Sequence, residues 1–488
     1  MVPWAQDPVS VQRAVVTVEE LNAHNKKGDL WIAIEGVVYD LTKWAAHHPG
    51  GEHLLVNMAG QDATGVYRAF HTKHGTGYKA DKLLTMLPKV ATLAKRPRSQ
   101  LETDFRALQE RVEKEGMFET RYSFFYGLAA WLAALFVLQL YLTLNATTMW
   151  GTLLAAAAYA LFVQQCAFVG HDTAHNGITH NRAYDIMIGN IVGPLATGIS
   201  TAWWKHSHNA HHVVTNSVTH DPDIQHMPVF AVTENLFNKG GVWSYYHRHP
   251  TPYTPNPAQE TFILSHQHLL YYPIMSFARF NLYVQSWLRL FNYESKIDFR
   301  YFEMCMMLAW TCWFSLMVYQ LPTLGMRVAF ILASHMLAGI LHVQITISHF
   351  SMPTYSGPNH AESQKMGENE AFLRQQVHTS MDLTSGWRND WFYGGLQWQV
   401  VHHVFPRLPR HNLPIVRLWL IDLCAMHGLL PETSYPNPGS RNPKCSFAPS
   451  TLFFSPTPEP LIPESRIPNP NPETRIPNPN TRNLKLET

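Results

Sequence analysis

The chain has 488 residues, of which 46% are hydrophobic and only 15% are charged, and its formal net charge is +2. Soluble domains average roughly 25% charged residues, so surface charge is scarce, and the near-neutral balance argues against nucleic acid as a partner. Five scattered cysteines without a C-x-x-C pair argue against a disulfide-stapled secreted module and are typical of a reducing compartment. Histidine, with 28 residues, is in unexplained excess.

Residues 14–97 have a mixed, soluble composition, and the N-terminus lacks the basic and apolar segments of a signal peptide. The sequence at 31–41 predicts a β-hairpin that turns at Glu35 and Gly36. A His-Pro-Gly-Gly sequence follows at 48–51. Glycines after a proline form a tight loop, which lets the ring of His48 approach a flat cofactor without obstruction by Cβ atoms.

The region 14–92 resembles a cytochrome b5 domain. Its most specific element is the His-Pro-Gly-Gly sequence, supported by the downstream DAT and FH sequences. The resemblance implies haem b held between His48 and His71 as axial ligands, with His47 and His74 as the adjacent alternatives. Haem iron bound by two histidines has no open position, so the domain is expected to carry electrons and perform no chemistry on substrate.

A segment predicted as a linker, 93–120, leads to a long apolar region. Residues 122–170 include no Asp, Glu, Lys, Arg or His, which is enough for two membrane-crossing helices of about 20 residues each. A second apolar pair is predicted at 304–321 and 328–347, with Arg327 between the two helices. The mean hydropathy of −0.15 averages soluble ends with apolar middles. The sequence therefore predicts a membrane-embedded domain at 121–430, in which 186–202 lies in the interface.

Three histidine clusters follow the predicted spans. The first has i, i+4 spacing, so two rings on one helix face can reach one metal ion. The second has i, i+3, i+4 spacing, which supplies two ligands to one metal ion and one to a neighbour, and the third repeats this pattern with Gln in the first place. Each cluster comes after an even number of spans, so all three reach one membrane face. The clusters are His171 and His175; His208, His211 and His212; and Gln399, His402 and His403.

The residue types limit the choice of metal. Imidazole-rich sites suit iron, copper, zinc or nickel. A carboxylate-bridged di-iron bundle expects Glu-x-x-His pairs, and the sequence has none. A zinc protease needs glutamate where this chain has Asp172. About eight imidazoles are too many for one zinc ion, which takes four ligands, so two iron ions fit the count better. Interfacial histidines solvated by water are the alternative for any single cluster.

The order HDTAH, HNAHH and QVVHH behind a cytochrome b5 domain resembles the front-end desaturases, and the similarity covers 14–430. It also includes THDPDI, ARFNLYVQS and GGLQWQVVHHVFPRLPRHNL. The resemblance implies a set of iron ligands that includes the histidines of all three clusters, with Gln399 nearby. His349, at the end of a late span, is the matching further ligand, and His342 is its alternative. The implied ligands are His171, His175, His208, His211, His212, His402, His403 and His349.

This resemblance implies an α+β cytochrome b5 domain followed by an all-α integral-membrane desaturase domain with about four transmembrane helices and a cytosolic histidine-rich di-iron cap. Alkyl C–H bonds are not usefully acidic, so the chemistry needs an oxidant made from dioxygen at a metal. Electrons would come through the fused haem from NADH-cytochrome b5 reductase. The expected partners are a lipid substrate and the bilayer, with no nucleic acid. The expected location is the endoplasmic reticulum, or a plastid, with both metal sites facing the cytosol.

The substrate is less constrained. Most acyl-acting relatives have Q-I-E-H-H in the third cluster, whereas Val401 stands in place of the glutamate here. Some sphingoid-base desaturases also have an apolar residue there, which inclines the prediction toward sphingolipid delta-8 desaturation. The alternatives are a delta-4/5/6/8 desaturase of acyl-lipid or acyl-CoA, a lipid hydroxylase, or a non-enzymatic metal transporter or haem electron carrier. Trp203 and Trp204 are predicted to anchor the interface or line the substrate entrance.

The C-terminal segment 431–488 is rich in proline and asparagine, with RIPNPNPET followed by RIPNPNTR. Proline at this density does not build helices or central strands. The segment is therefore predicted to be a disordered tail, with a binding motif as the alternative.

Overall fold

The structure, a computed structural model, describes most of the chain between residues 14 and 429. The prolines of 431–488, the alternative haem ligand His74 and residues 1–13 lie outside the described residues. All described residues belong to one compact unit. The described residues are 14–72, 77–225, 229–233, 236, 242–244, 249–251, 256–293, 296–355, 368–386 and 388–429.

A mixed sheet bordered by short helices forms the N-terminal part. Its strands are β1 (Val15–Val16), β2 (Asn25–Lys26), β3 (Asp29–Ile34), β4 (Val37–Asp40), β5 (Gln61–Asp62) and β6 (Lys89–Leu93). They lie in the order β1-β6-β4-β3-β2, and β5 pairs with β3 in parallel. The helices here are α1 (Val18–Ala23), α2 (Glu52–Asn57), α3 (Thr64–Phe70) and α4 (Gly77–Met86).

The predicted hairpin is confirmed. Strands β3 and β4 pair antiparallel, with Ile34 opposite Val37. The intervening Glu35 and Gly36 have φ values of 50° and 76°, as a two-residue type I′ turn requires. One face of the sheet packs in a cluster that we call the N-terminal core, whose members are Leu30, Ile32, Ile34, Tyr39, Leu41, Trp44, Ala45, Met58, Ala59, Ala63, Leu87, Val213 and Val214.

The rest of the described chain is mainly helical, with one small hairpin of strands β7 (Val242–Ser244) and β8 (His249–Thr251). The helices are α5 (Gln100–Lys114), α6 (Tyr122–Leu144), α7 (Met149–Ala174), α8 (Arg182–Asn190), α9 (Thr201–Val213), α10 (Gln267–Ser276), α11 (Ala278–Phe291), α12 (Arg300–Tyr319), α13 (Leu324–Ala338), α14 (Ile340–Phe350), α15 (Glu368–Thr379), α16 (Asp390–Tyr393), α17 (Gln399–Val404) and α18 (Leu413–Met426).

Four helical segments in the described part of the chain are long and apolar enough to cross a membrane, which confirms the predicted number. They are α6, α7, α12 and the consecutive helices α13 and α14. Helix α7 is the most buried of the four. Its Tyr159 is fully buried and packs against aromatic rings of α12 and α13, Phe314 and Phe330. The apolar surface of the other three spans faces outward, as contact with lipid requires.

The fourth span begins earlier than the sequence predicted. Helix α13 starts at Leu324, where the Thr323 side chain accepts a hydrogen bond from the Met326 backbone amide at 3.2 Å. Arg327 therefore lies in the first helical turn rather than between spans. Its side chain folds back to the helix end, where Nε donates to the Leu321 carbonyl at 2.9 Å. A long cationic side chain can thus belong to a span and still reach its polar end.

The segment predicted as a linker contains helix α5. The Ser99 hydroxyl caps this helix by accepting a hydrogen bond from the Glu102 amide at 3.0 Å, and it also donates to Glu370 in α15. Phe105, on the inner face of α5, is fully buried. The helix packs in a second cluster, which we call the cap core, formed by Ala69, Leu101, Phe105, Leu108, Val112, Phe118, Phe372, Leu373, Val377, Val400, Val401, Val404, Phe405, Leu408, Leu413, Val416, Leu420, Leu423, Cys424 and Leu429.

Candidate metal centres

The first site is a pocket between two histidines of the N-terminal part. His48 follows a short helical turn at Ala45–His47, and His71 caps the end of α3. Their ring centroids are 6.4 Å apart. Two imidazole nitrogens that each lie roughly 2 Å from a first-row metal ion require such a separation. The predicted pair is therefore brought together, whereas His47 is exposed.

Hydrogen bonds fix which ring nitrogen of each histidine is available. Nδ1 of His48 donates to the Gly51 carbonyl and Nδ1 of His71 to the Tyr67 carbonyl, both at 3.1 Å. Nε2 is then the unprotonated nitrogen that can bind iron. Burial lowers the pKa of His48 and lowers that of His71 to about 3, which favours the neutral form of each ring. The residues present fit a haem iron with two axial imidazoles.

The two glycines of the His-Pro-Gly-Gly sequence are needed for close approach. A Cβ atom on Gly50 would lie 2.8 Å from Cε1 of His48. Gly51 has a φ of 109°, and a Cβ atom there would lie 2.6 Å from the ring of His53. Any side chain at either position would therefore displace a histidine ring.

The second site is a buried nest of eight histidines in the helical part. Ligand atoms of five of them lie within 4.8 Å of one another, and so do those of the other three. The five-histidine group is His171, His175, His208, His212 and His402, and the three-histidine group is His211, His349 and His403. His342, the alternative to His349, belongs to neither group.

Local helical geometry explains this division. Helix α9 is capped by the Ser200 hydroxyl, which accepts a hydrogen bond from the Trp203 amide at 2.9 Å. On that helix His208 and His212 are four residues apart and point to the five-histidine group, while His211 points to the other group. The two histidines of α17 are likewise divided between the groups. The groups touch, since the rings of His212 and His403 stack at 4.1 Å.

Several buried imidazole nitrogens have no hydrogen-bond partner among the described residues. An unsatisfied buried polar atom costs about 1–3 kcal/mol, so a convergent set of such atoms indicates a metal site. Nε2 of His212 lies 3.0 Å from Nε2 of His208 and 3.1 Å from Nε2 of His402. The unpartnered nitrogens are Nε2 of His171, Nδ1 and Nε2 of His175, Nδ1 of His212, Nε2 of His349 and Nε2 of His403.

Gln399 is the first residue of α17 and is buried beside this nest. Its side-chain carbonyl oxygen has no hydrogen-bond partner among the described residues. An oxygen donor is thus available there, and its role as a ligand stays a prediction.

Residues that the sequence analysis did not assign to the site hold the outer nitrogens. Nδ1 of His211 donates to Asp221 at 2.8 Å, and Nδ1 of His208 lies 3.2 Å from Asp223. The His208 and His211 rings offset the cost of burial and hold the pKa of Asp223 well below its ordinary value. These carboxylates belong to the THDPDI sequence, so an acidic pair shortly after the second cluster was the available signal.

The three-histidine group has further outer partners. Nδ1 of His349 donates to the Thr379 carbonyl at 3.0 Å, and Nδ1 of His403 donates to the Gln376 side-chain oxygen at 3.0 Å. Both acceptors lie on α15, and no motif in the sequence indicated that this helix belongs to the site. Such outer hydrogen bonds orient the ligating rings and fix their tautomers.

Trp204 lies against the histidine nest. Its ring stacks on that of His208 with centroids 4.1 Å apart, and it contacts His171 at 5.3 Å. This position favours a role for Trp204 in lining the site over a role as an anchor at the membrane interface.

The two sites adjoin each other. Arg182 donates to the carbonyl of Pro49 at 3.1 Å and is itself held by Asp298 at 2.7 Å. Val213 and Val214, which follow His212, pack in the N-terminal core. The end of α9, which carries histidines of the nest, therefore packs directly against the N-terminal domain that forms the haem pocket.

Comparisons with known proteins agree with this architecture. Family models match at two places, the fatty acid desaturase family at 147–434 and the cytochrome b5-like haem/steroid binding domain at 17–94. A Delta(8)-fatty-acid desaturase of Helianthus annuus is 39% identical, over 85% of this chain and 86% of that protein. An acyl-lipid (9-3)-desaturase of Borago officinalis is 32% identical over 85% and 88%, and a Delta 8-(E)-sphingolipid desaturase of Komagataella phaffii is 31% identical over 85% and 89%.

Proposed function

The chain belongs to the fatty acid desaturase family, as a front-end desaturase fused to a cytochrome b5 domain, and on that premise we propose that it inserts a delta-8 double bond into the long-chain base of a sphingolipid. The observation that carries the proposal is the nest of eight buried histidines in two groups beside a haem pocket. For the substrate, the name of the Komagataella relative and the apolar Val401 support a sphingoid chain, and the names of the Helianthus and Komagataella relatives both support the delta-8 position.

The donor set fits two iron ions. The eight imidazoles form two touching groups, one of five and one of three, and together they exceed the four ligands of one zinc ion. Imidazole is a good ligand for iron. Iron bound there would supply the oxidising power that an unactivated methylene pair requires, with dioxygen as the co-substrate. Per turnover, dioxygen accepts two hydrogen atoms from the substrate, which amount to two electrons and two protons, and a further two electrons and two protons from elsewhere, and two waters result.

The side chains of this chain prepare the site for that chemistry. Asp221 and Asp223 accept hydrogen bonds from Nδ1 of His211 and of His208, which directs Nε2 of each ring inward. All eight histidines are buried, which limits the access of water to the nest. Trp204 covers one side through its stacking on His208.

We further propose that the electrons come from NADH through cytochrome b5 reductase and enter at the haem of this chain. Both metal sites adjoin, and the histidines of α7 and α14 lie at the ends of the second and fourth spans. An even number of crossings returns the chain to one face, which supports a single-sided arrangement facing the cytosol of the endoplasmic reticulum. This geometry differs from a transporter, whose metal ligands would line a pore through the spans.

Expression in a yeast that lacks sphingoid delta-8 desaturation tests the substrate. We expect new delta-8-unsaturated long-chain bases with the wild-type chain and none with His212→Ala. New double bonds in fatty acids alone would overturn the sphingoid assignment in favour of an acyl substrate, as in the Borago relative. A hydroxylated product would show that the same centre acts as a hydroxylase. No new product in either lipid fraction, with haem and iron both bound, would contradict the proposal.

A further inference from the structure

Phe70 lies between the haem pocket and the histidine nest. It is the last residue of α3 and directly precedes the haem-ligand candidate His71. Its ring is perpendicular to that of His212, with centroids 6.2 Å apart. It also packs against both the N-terminal core and the cap core. One side chain therefore touches both halves of the molecule, next to a ligand candidate in each.

His212 is the histidine through which both groups can be reached. It belongs to the five-histidine group, and its Nε2 lies about as close as a hydrogen bond to His208 and His402. Its ring also stacks on His403 of the three-histidine group, with planes 21° apart. An electron that arrives at His212 therefore has a short onward path to every metal position in the nest.

The two halves are held in one arrangement by several independent contacts. His53 of α2 donates to the His206 carbonyl of α9 at 3.2 Å, and the two rings lie 3.9 Å apart. Arg182 holds the loop next to His48 through the Pro49 carbonyl. Electron tunnelling weakens exponentially with distance and is weaker across a gap than through atoms in contact, so a fixed arrangement with no gap favours rapid transfer.

From this placement we propose that Phe70 is the bridge by which electrons pass from the haem, beside His71, to His212, an inference that rests on the proposed function. Two electrons cross in each turnover, one at a time. Each leaves a ferrous haem, which becomes ferric, and reduces the metal centre by one equivalent. A flavoprotein reductase that oxidises NADH returns the haem to the ferrous state, and the pair of electrons, together with two protons and the two hydrogen atoms of the substrate, reduces dioxygen to two waters.

Val66 provides a matched control for this bridge. It lies one turn earlier on α3 and, like Phe70, packs against both the N-terminal core and the cap core. It has no aromatic ring. A change at Val66 therefore perturbs the packing of the same junction while the Phe70 ring stays in place.

The experiment uses the full-length protein in lipid nanodiscs, with haem reduced anaerobically by limiting dithionite and then mixed with substrate and dioxygen. We expect haem reoxidation to be several-fold slower in Phe70→Leu than in the wild type, and close to the wild-type rate in Phe70→Tyr and Val66→Ala. Haem absorbance, midpoint potential and iron content should match the wild type in all three. Hydrogen exchange of Glu52–Asn57 reports whether the two halves stay docked.

A wild-type reoxidation rate in Phe70→Leu would overturn the bridge and leave the proposed function standing. Equal slowing in Phe70→Leu and Val66→Ala, with faster hydrogen exchange of α2, would also overturn it, because docking would then be the cause. If wild-type haem were reoxidised no faster than haem in His212→Ala, the internal electron donor itself would be refuted, and the proposed function with it.

Discussion

The two candidate metal sites of this chain lie in different surroundings. The haem pocket uses two rings whose Nδ1 atoms donate to the neutral carbonyls of Gly51 and Tyr67. In the nest, two of the rings donate instead to the carboxylates of Asp221 and Asp223. A carboxylate makes the imidazole a stronger donor. Imidazoles held by carboxylates would therefore stabilise more positive charge on a metal in the nest than the carbonyl-held rings would on a haem iron.

The two sites also differ in how many positions they leave for other ligands. Two histidine ligands would leave a haem iron without an open position, which suits the transfer of one electron at a time. The three-histidine group supplies only three nitrogen donors, and catalytic metal sites with three protein ligands keep a position open. We expect the open position of the nest to lie on this side.

The largest expected effect is the loss of one metal site while the other stays intact. His212→Ala should abolish product formation and lower the iron content while the haem absorbance stays unchanged, because the haem pocket uses other ligands. His48→Ala should abolish haem absorbance and haem-dependent turnover while iron stays bound, and His47→Ala, its exposed neighbour, should behave like the wild type. Absorbance spectra, elemental analysis and product assays check each outcome. Loss of both cofactors in either variant would show that the sites do not load independently.

A smaller effect is expected from the carboxylates. Asp221→Asn keeps the size of the side chain but removes the negative charge beside His211, so iron affinity should fall by about 10–100-fold. Titration of iron into the apo protein measures this, and the haem potential should not move. Asp29→Asn, in the Asp29–His24 pair outside both sites, is the control. Unchanged iron affinity in Asp221→Asn would contradict the assigned role of the carboxylate.

The smallest effect is expected on haem retention when the pH is lowered. Burial lowers the pKa of His71 from 6.5 to about 3, so the unfolded chain binds a proton that the folded chain does not. The stability that this ring contributes is present above pH 6.5 and is lost as the pH falls toward 3, by about 1.4 kcal/mol per pH unit. Haem retention, followed by absorbance in the full-length chain, should decrease from pH 7 to pH 5. Retention that is flat over this range would contradict the buried, neutral state of His71.

Local patterns made much of the fold predictable. Glu35 and Gly36 mark the hairpin because few residues accept left-handed backbone, and long apolar runs mark the spans. The predicted span boundary at Arg327 was wrong, because the long side chain of this residue reaches the polar end of α13 and its charge can therefore belong to a span. Helix α5 was missed within the predicted linker because its stability comes from packing in the cap core.

The histidine nest was predictable in part, because the spacing of histidines along one helix is a local pattern. Helical spacing alone indicates that His208 and His212 share a metal while His211 serves its neighbour. The role of α15, whose Gln376 and Thr379 hold two of the rings, depends on contacts between distant segments that no local pattern encodes. Val401 shows the limit for specificity. It is fully buried in the cap core beside Leu373 and Val377, so an apolar residue suits this position, but nothing local relates that packing to a particular lipid.

Helix α5 has a consequence for how the enzyme competes for reducing power. Ser99 and Phe105 fasten this connection to α15 and the cap core, and Phe70 of the N-terminal domain lies against His212, so the attached domain occupies one side of the nest. Free cytochrome b5 in the same membrane is therefore a poor substitute for the attached domain. The rate of electron delivery would then depend on the reduction of the attached haem domain and not on the abundance of free cytochrome b5.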